Sequence, residues 1–172
     1  MQKVNAYKIP SSGEARESLR EKGQFWTPDW VAEAMVEYVF VDKGGVLFDP
    51  AVGAGAFFRA AKVIAKEKSL HYSLSGMDID SKALDEAFKY GLSKDDMRDV
   101  KIGDFIFQSP KNKLSAIVAN PPYIRHHRIS LATKEKLKRL SMESTGTILD
   151  GRAGLHIYFL IHALTLLEDG GR

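Results

Sequence analysis

Residues 46–57 read Val46-Leu47-Phe48-Asp49-Pro50-Ala51-Val52-Gly53-Ala54-Gly55-Ala56-Phe57, and the fold turns on them. Three apolar residues in a row form a short buried strand, and Asp49-Pro50 stops it because proline has no N–H to donate to a ladder. Gly53 and Gly55 then give a loop without Cβ atoms, and a helix runs on from Ala56 to about Lys68. Upstream, Thr27-Pro28-Asp29 predicts a helix start, with Thr27 as N-cap, Pro28 at the first helical position and an acid in the first turn. That helix, over 28–40, places Val31, Met35 and Val39 on one face with Ala32 and Val36 beside them. Downstream, strands are expected over 70–77, 100–102 and 114–119, with Ser81 capping a helix to about Tyr90 and an apolar helix over 155–167. Strands alternating with helices at this spacing predict an α/β fold, a parallel sheet covered by helices on both faces.

In such a sheet, ligands bind outside the carboxyl ends of the strands. Each expected strand ends in a polar cluster: Asp49, Asp78, Asp104 and Asn120. The Gly53-Ala54-Gly55 loop is half of a dinucleotide fingerprint, because Phe58 stands where the third glycine would be, and a plain turn is the alternative. No Lys-Ser/Thr pair follows, which disfavours nucleotide hydrolysis. Asp78 stands where an acid accepts hydrogen bonds from both ribose hydroxyls; a solvated loop acid is the alternative. Asn120-Pro121-Pro122-Tyr123 is a rigid corner rich in acceptors. The Asn120 side-chain oxygen and the Pro121 carbonyl can accept both hydrogens of one exocyclic amine, and Tyr123 offers a flat face for stacking.

The chain has 172 residues, of which 44% are hydrophobic and 27% charged, the composition of one globular domain. It contains no cysteine, which excludes disulfides, thiolate zinc sites and cysteine nucleophiles. The apolar run 155–167 is 13 residues long, short of the roughly 20 needed to span a bilayer. With no apolar leader at the N-terminus, a cytoplasmic location without membrane attachment is expected. Residues 1–24 are expected to be an arm, with a short helix over 14–22.

Charge is unevenly placed. Residues 1–123 hold 17 Lys/Arg and 17 Asp/Glu, whereas residues 124–140 hold Arg125, Arg128, Lys134, Lys136, Lys138 and Arg139 against Glu135 alone. The run suits a phosphate backbone, the alternative being a solvated helix face. His126 and His127 are adjacent and have no carboxylate at metal-ligand spacing, so no metal is expected. His156 and His162 read as packing residues.

The tetrad Asn120-Pro121-Pro122-Tyr123, following Asp49-Pro50-Ala51-Val52-Gly53-Ala54-Gly55-Ala56-Phe57 and preceded by Phe25-Trp26-Thr27-Pro28, resembles S-adenosylmethionine-dependent DNA adenine-N6 methyltransferases. The motif order resembles the gamma class, and Tyr123-Ile124-Arg125 looks like the methylases of type II restriction–modification systems. The resemblance covers about residues 23–170. It implies a Rossmann-like doubly wound methyltransferase sheet, a catalytic domain over 25–172, S-adenosyl-L-methionine as cofactor and double-stranded DNA as partner.

Roles carried over by position make Asn120, Pro121, Pro122 and Tyr123 the catalytic corner. Thr27 would contact the methionine end of the cofactor, while Asp49, Gly53 and Gly55 shape its pocket and Asp78 holds the ribose. Asp104 would bind the adenine amino group, with Phe105 and Phe159 against its ring; Phe159 as an ordinary core residue is the alternative. Arg125, Arg128, Lys134 and Lys136 would contact DNA. Two acceptors aimed at an amine localise its lone pair, and stacking on Tyr123 requires the base to be flipped out. The absence of cysteine agrees, since C5-cytosine methylation needs a thiolate.

Compared with the family order 3-2-1-4-5-7-6, only strands 1 to 4 can be assigned, so the sheet is expected to be truncated after the fourth strand and its following helix. The strand 114–119 then becomes an exposed apolar edge, expected to be covered by a second copy, a complementing fragment or a rearranged terminus. Two rival functions suit the same residues. One is N-methylation of RNA or of a protein glutamine; the other is a non-catalytic module that binds cofactor or DNA.

Overall fold

The structure, a computed structural model, describes residues 26–40, 45–108 and 110–172. The expected arm over 1–24, its helix over 14–22 and Phe25 lie outside the described residues. The elements are α1 (Asp29–Val39), β1 (Gly45–Asp49), α2 (Ala56–Lys68), β2 (Tyr72–Asp78), α3 (Lys82–Lys89), β3 (Val100–Ile102), α4 (Phe105–Gln108), β4 (Ala116–Ile117), a 3-10 turn (His126–Arg128), α5 (Leu131–Thr145) and α6 (Leu155–Leu166). Two compact units result: among described residues, one holds 26–120 and 167–172, the other 121–166. No helix among the described residues is long and apolar enough to cross a membrane.

In the first unit the four strands pair in the order β3-β2-β1-β4, every pairing parallel. This is the expected order for strands 1 to 4. β1 is central: Leu47 lies opposite both Leu74 of β2 and Ala116 of β4. Leu47, Phe58 and Val36 are fully buried in one cluster with Ala60, Ala61 and Ile64 of α2. Removing each such large side chain from water contributes about 1.5–3 kcal/mol.

Helix α1 differs from expectation in its start and its phase. Pro28 is the N-cap, no side chain caps the helix, and the Thr27 hydroxyl accepts a hydrogen bond from elsewhere in the chain. Its buried line is Ala32, Val36 and Phe40, with Met35 and Val39 only partly buried beside it. Ala32 is small enough to let α1 pack closely on the alanine-rich face of α2, so the line centres there and not on the bulkier Val31–Met35 side.

The fourth strand is shorter than the expected 114–119. Its ladder with β1 holds Leu47 opposite Ala116 and Phe48 opposite Ile117, with Val118 N–H donating to Phe48 O at 3.0 Å. Beyond that point β1 ends at Asp49-Pro50, which leaves nothing to pair. The opposite edge is lined by the chain's own residues 167–172. Leu114 bridges Leu167 in parallel, and Glu168 N–H donates to Leu114 O at 3.1 Å. Arg172 N–H donates to Ser115 O at 3.0 Å, and Ile117 N–H donates to Arg172 O at 2.8 Å. Residues 167–172 thus line this edge strand along Leu114–Ile117.

In the second unit, the basic segment begins with the 3-10 turn and continues as α5, whose N-cap Ser130 accepts a hydrogen bond from Thr133 N–H at 3.1 Å. The run read only as basic is thus largely helical. Helices α5 and α6 pack together.

Candidate active site

Parallel pairing brings the carboxyl ends of β1 to β4 to one end of the sheet, and the first unit's expected site residues follow those ends. Asp49 closes β1 and is fully buried. Its Oδ1 accepts from Ala51 N–H at 2.9 Å, whereas its Oδ2 is buried with no hydrogen-bond partner among the described residues. Burial pushes its carboxyl up to about 8; the Ala51 N–H opposes the rise and the nearby Asp78 charge adds to it.

The glycine loop is tied to the neighbouring strand. Val52 N–H donates to Met77 O at 3.0 Å, and Gly53 N–H donates to Asp78 Oδ2 at 2.7 Å. Gly55 begins α2 in the left-handed region at φ 74°. A Cβ there would strike the Leu92 side chain, so both conformation and space require glycine.

Asp78 ends β2 and is 7% exposed. Its Oδ1 accepts from Asp80 N–H at 2.8 Å, and the Ile79 N–H also acts on the carboxylate, so three backbone donors converge on the end of β2. Desolvation raises its carboxyl above the ordinary value, with the Asp80 and Gly53 N–H groups opposing. Asp104 follows β3 and accepts from Ile106 N–H at 3.0 Å, capping the one-turn helix α4. That turn, which the sequence did not reveal, rotates Phe105 inward. Its ring is 2% exposed and lies 5.9 Å from that of Phe48, so the structure places Phe105 in the core behind the strand ends.

Asn120 follows β4, and its Nδ2 donates to Thr27 Oγ1 at 3.1 Å. Thr27 thereby joins the strand-end cluster through Asn120. Its neighbours are anchored: the Trp26 ring meets Tyr90 edge-on at 6.1 Å, and Asp29 Oδ1 accepts from Arg59 at 3.1 Å. Arg59 also donates to Ala54 O in the glycine loop at 2.6 Å and lies 5.5 Å from the Tyr90 ring centroid. Sequence reading missed Arg59. An arginine inside an amphipathic helix carries no local signal, and its partner Asp29 is 30 residues away.

The tetrad runs from Asn120, the end of the first unit's main segment, into the second unit. There Tyr123 is 47% exposed, and its ring lies 5.2 Å from the ring of His156. Leu155 N–H donates to Ile124 O at 2.9 Å, pinning the start of α6 beside the tetrad's continuation. Arg125, Arg128 and Lys136 are exposed and Lys134 is half-buried. Lys134 and Lys136 are two residues apart on α5, about 200° around the helix, so the four expected DNA contacts do not share one face. Phe159 is buried on α6, and His126 and His127 meet edge to face at 5.5 Å.

The first unit thus offers acceptors at three strand ends, a glycine-lined turn and one orphaned buried carboxylate oxygen. These features suit a ligand rich in hydroxyl and amino donors.

The N-6 DNA methylase family profile matches residues 5–172. The type II methyltransferase M.AccI of Acinetobacter calcoaceticus is 28% identical over 159 residues, covering 91% of this chain and 28% of the relative. M.TthHB8I of Thermus thermophilus is 26% identical over 167 residues, covering 95% of this chain and 36% of the relative. The chain therefore spans about a third or less of the length of these relatives. Among solved structures, the methyltransferase subunit of a type I restriction–modification system from Streptococcus thermophilus superposes with a TM-score of 0.62 at 18% identity, covering 91% of this chain and 36% of that one. The parallel sheet, the glycine loop and a profile match over nearly the whole chain agree: this chain belongs to the N-6 DNA methylase family.

Proposed function

We propose that this chain carries the cofactor pocket and base-gripping corner of an S-adenosylmethionine-dependent DNA adenine-N6 methyltransferase of restriction–modification type. The observation that carries the reading is the gathering of Asp49, the Gly53–Gly55 turn, Asp78, Asp104 and Asn120 at one end of a parallel sheet. When bound, the cofactor supplies an electrophilic methyl group on a sulfonium.

The residues fit such a group. Asp78, with about four acceptor sites and three backbone donors on it, keeps acceptor capacity for a ribose hydroxyl, and the backbone of the glycine turn permits close approach. Asp104 keeps acceptor capacity for an adenine amino group, while Phe105 supports the turn that carries Asp104. The unpartnered Asp49 Oδ2 is a buried polar atom at the carboxyl end of β1 that a water or a bound polar group would satisfy.

At the corner, Asn120 Oδ1 and the Pro121 carbonyl accept the two hydrogens of the target amine. This draws the nitrogen toward tetrahedral geometry and localises its lone pair. Prolines 121 and 122 hold the corner rigid, and alignment supplies most of the rate. Tyr123 stacks on the flipped base, and Arg125, Arg128 and one of the two α5 lysines Lys134 and Lys136 neutralise phosphates.

The test is transfer of labelled methyl groups from S-adenosylmethionine to plasmid DNA, ribosomes and release factors. Label in DNA as N6-methyladenine, lost on Asn120→Ala, supports the reading. Label in RNA or protein, or full activity of Asn120→Ala, overturns it.

A further inference from the structure

We infer that Arg59 is a positioning residue for the amino-acid end of the cofactor pocket: its guanidinium clamps the glycine turn to the start of α1 and so fixes the spacing of the pocket's two walls. The inference rests on the functional reading above, and it adds a residue that acts through the backbone around it.

Arg59 lies one turn into α2, where its own N–H donates to Gly55 O at 3.0 Å. Helical side chains lean toward the N-terminus, and here the two terminal nitrogens part to different partners. Nη1 donates to Ala54 O, between the two glycines, at 2.6 Å. Nη2 donates to Asp29 Oδ1 at 3.1 Å, 30 residues earlier in the chain. Asp29 stands just after Thr27 and Pro28, so a single planar fork joins the glycine turn to the segment that carries Thr27. In the functional reading those two segments are the walls around the amino-acid end of the cofactor.

The task suits arginine and not lysine. An ammonium is a point donor, whereas a guanidinium holds two partners at a fixed separation. The Asp29 carboxylate is about half exposed, and so open an ion pair contributes little to stability. The Ala54 carbonyl belongs to a buried residue, and a charge-assisted bond to it is among the stronger kinds. That carbonyl shares its peptide with Gly55 N–H, which donates to Val52 O at 2.8 Å and closes the turn. Polarising the peptide from one side strengthens the bond on the other, so the guanidinium tightens the turn as well as placing it.

The experiment compares two ligands by calorimetry: S-adenosylhomocysteine, which has the amino-acid end, and methylthioadenosine, which lacks it. Arg59→Met keeps the aliphatic stem and removes the fork. It is expected to weaken S-adenosylhomocysteine about tenfold and methylthioadenosine less than about twofold. Arg59→Lys is expected to recover the loss only in part. Asp29→Ala trims the exposed partner with little risk to folding; it is expected to give the same selective loss, about threefold, and to add nothing in the Arg59→Met background. Equal weakening of both ligands, full recovery in Arg59→Lys, or independent effects of Arg59 and Asp29 would overturn the inference.

A readout that needs no ligand is amide hydrogen exchange. Arg59→Met is expected to speed exchange at Gly55 while leaving Val52, which donates to Met77 O, unchanged; general destabilisation would speed both. An unchanged Gly55 rate refutes the clamp, whereas failure of the unsubstituted chain to bind S-adenosylhomocysteine refutes the functional reading.

Discussion

Gly53 N–H donates to Asp78 Oδ2 at 2.7 Å, joining the turn after β1 to the end of β2. One carboxylate thereby fixes the glycine loop while keeping lone pairs for a ligand. Asp80 N–H occupies the other oxygen, so the same side chain also orders the approach to α3.

Replacing Asp78 with alanine leaves the Gly53 and Asp80 N–H groups, and the Ile79 N–H that also acts on the carboxylate, without their acceptor. Each unsatisfied buried group costs about 1–3 kcal/mol. Asp78→Ala is therefore expected to lower the denaturation midpoint measured by circular dichroism and to weaken cofactor binding together. An unchanged midpoint would show that the Asp78 bonds do not hold the loop.

Asp49 makes stability depend on pH. Its carboxyl is raised to about 8 in the folded chain, against about 3.9 when unfolded. Between those values the folded state holds a proton that the unfolded state has lost, so stability falls as pH rises from about 4 to about 8, by at most about 1.4 kcal/mol per pH unit. Asp49→Asn cannot ionise. Its Tm is expected to gain on that of the unsubstituted protein as pH rises from 5 to 8, and the difference to flatten above the folded value. Parallel Tm profiles would contradict the raised carboxyl.

Gly55→Ala combines backbone strain at φ 74° with a clash against Leu92. A loss of at least about 1 kcal/mol in urea unfolding is expected. Trimming the neighbour separates the two causes: Gly55→Ala with Leu92→Ala is expected to cost less than the sum of the single changes. Strict additivity would mean that Leu92 plays no part.

DNA affinity is expected to fall with salt, and Arg125→Ala and Arg128→Ala each to reduce the log–log slope by about 1. Lys134 and Lys136 point about 200° apart around α5, so only one of the two is expected to change that slope. Fluorescence anisotropy across a salt series measures this. Equal effects from both lysines would place the duplex end-on to the helix or show that the contacts are not local.

The central strand, the glycine loop and the following helix were legible because their signals are local: an apolar run, a proline stop and a G-x-G turn. The bounds of α2 (Ala56–Lys68) and β3 (Val100–Ile102) and the strand order match expectation. What sequence did not show depends on partners far along the chain. Thr27 reads as a helix cap until Asn120 stands beside it, and Arg59 has no local motif. Phe105 turns inward because Asp104 caps a turn too short to leave a hydrophobic period. The basic run is continuous in sequence, but helical phase spreads its lysines around α5.

The most direct test of the strand-end pocket is titration calorimetry of the chain with S-adenosylhomocysteine, which carries the adenosyl and amino-acid groups without the reactive methyl. One molecule bound per chain, with affinity reduced about tenfold or more by Asp78→Ala while the variant remains folded, is the expected result. No heat of binding to the folded, unsubstituted chain, or binding that ignores Asp78, would contradict the pocket and the function built on it.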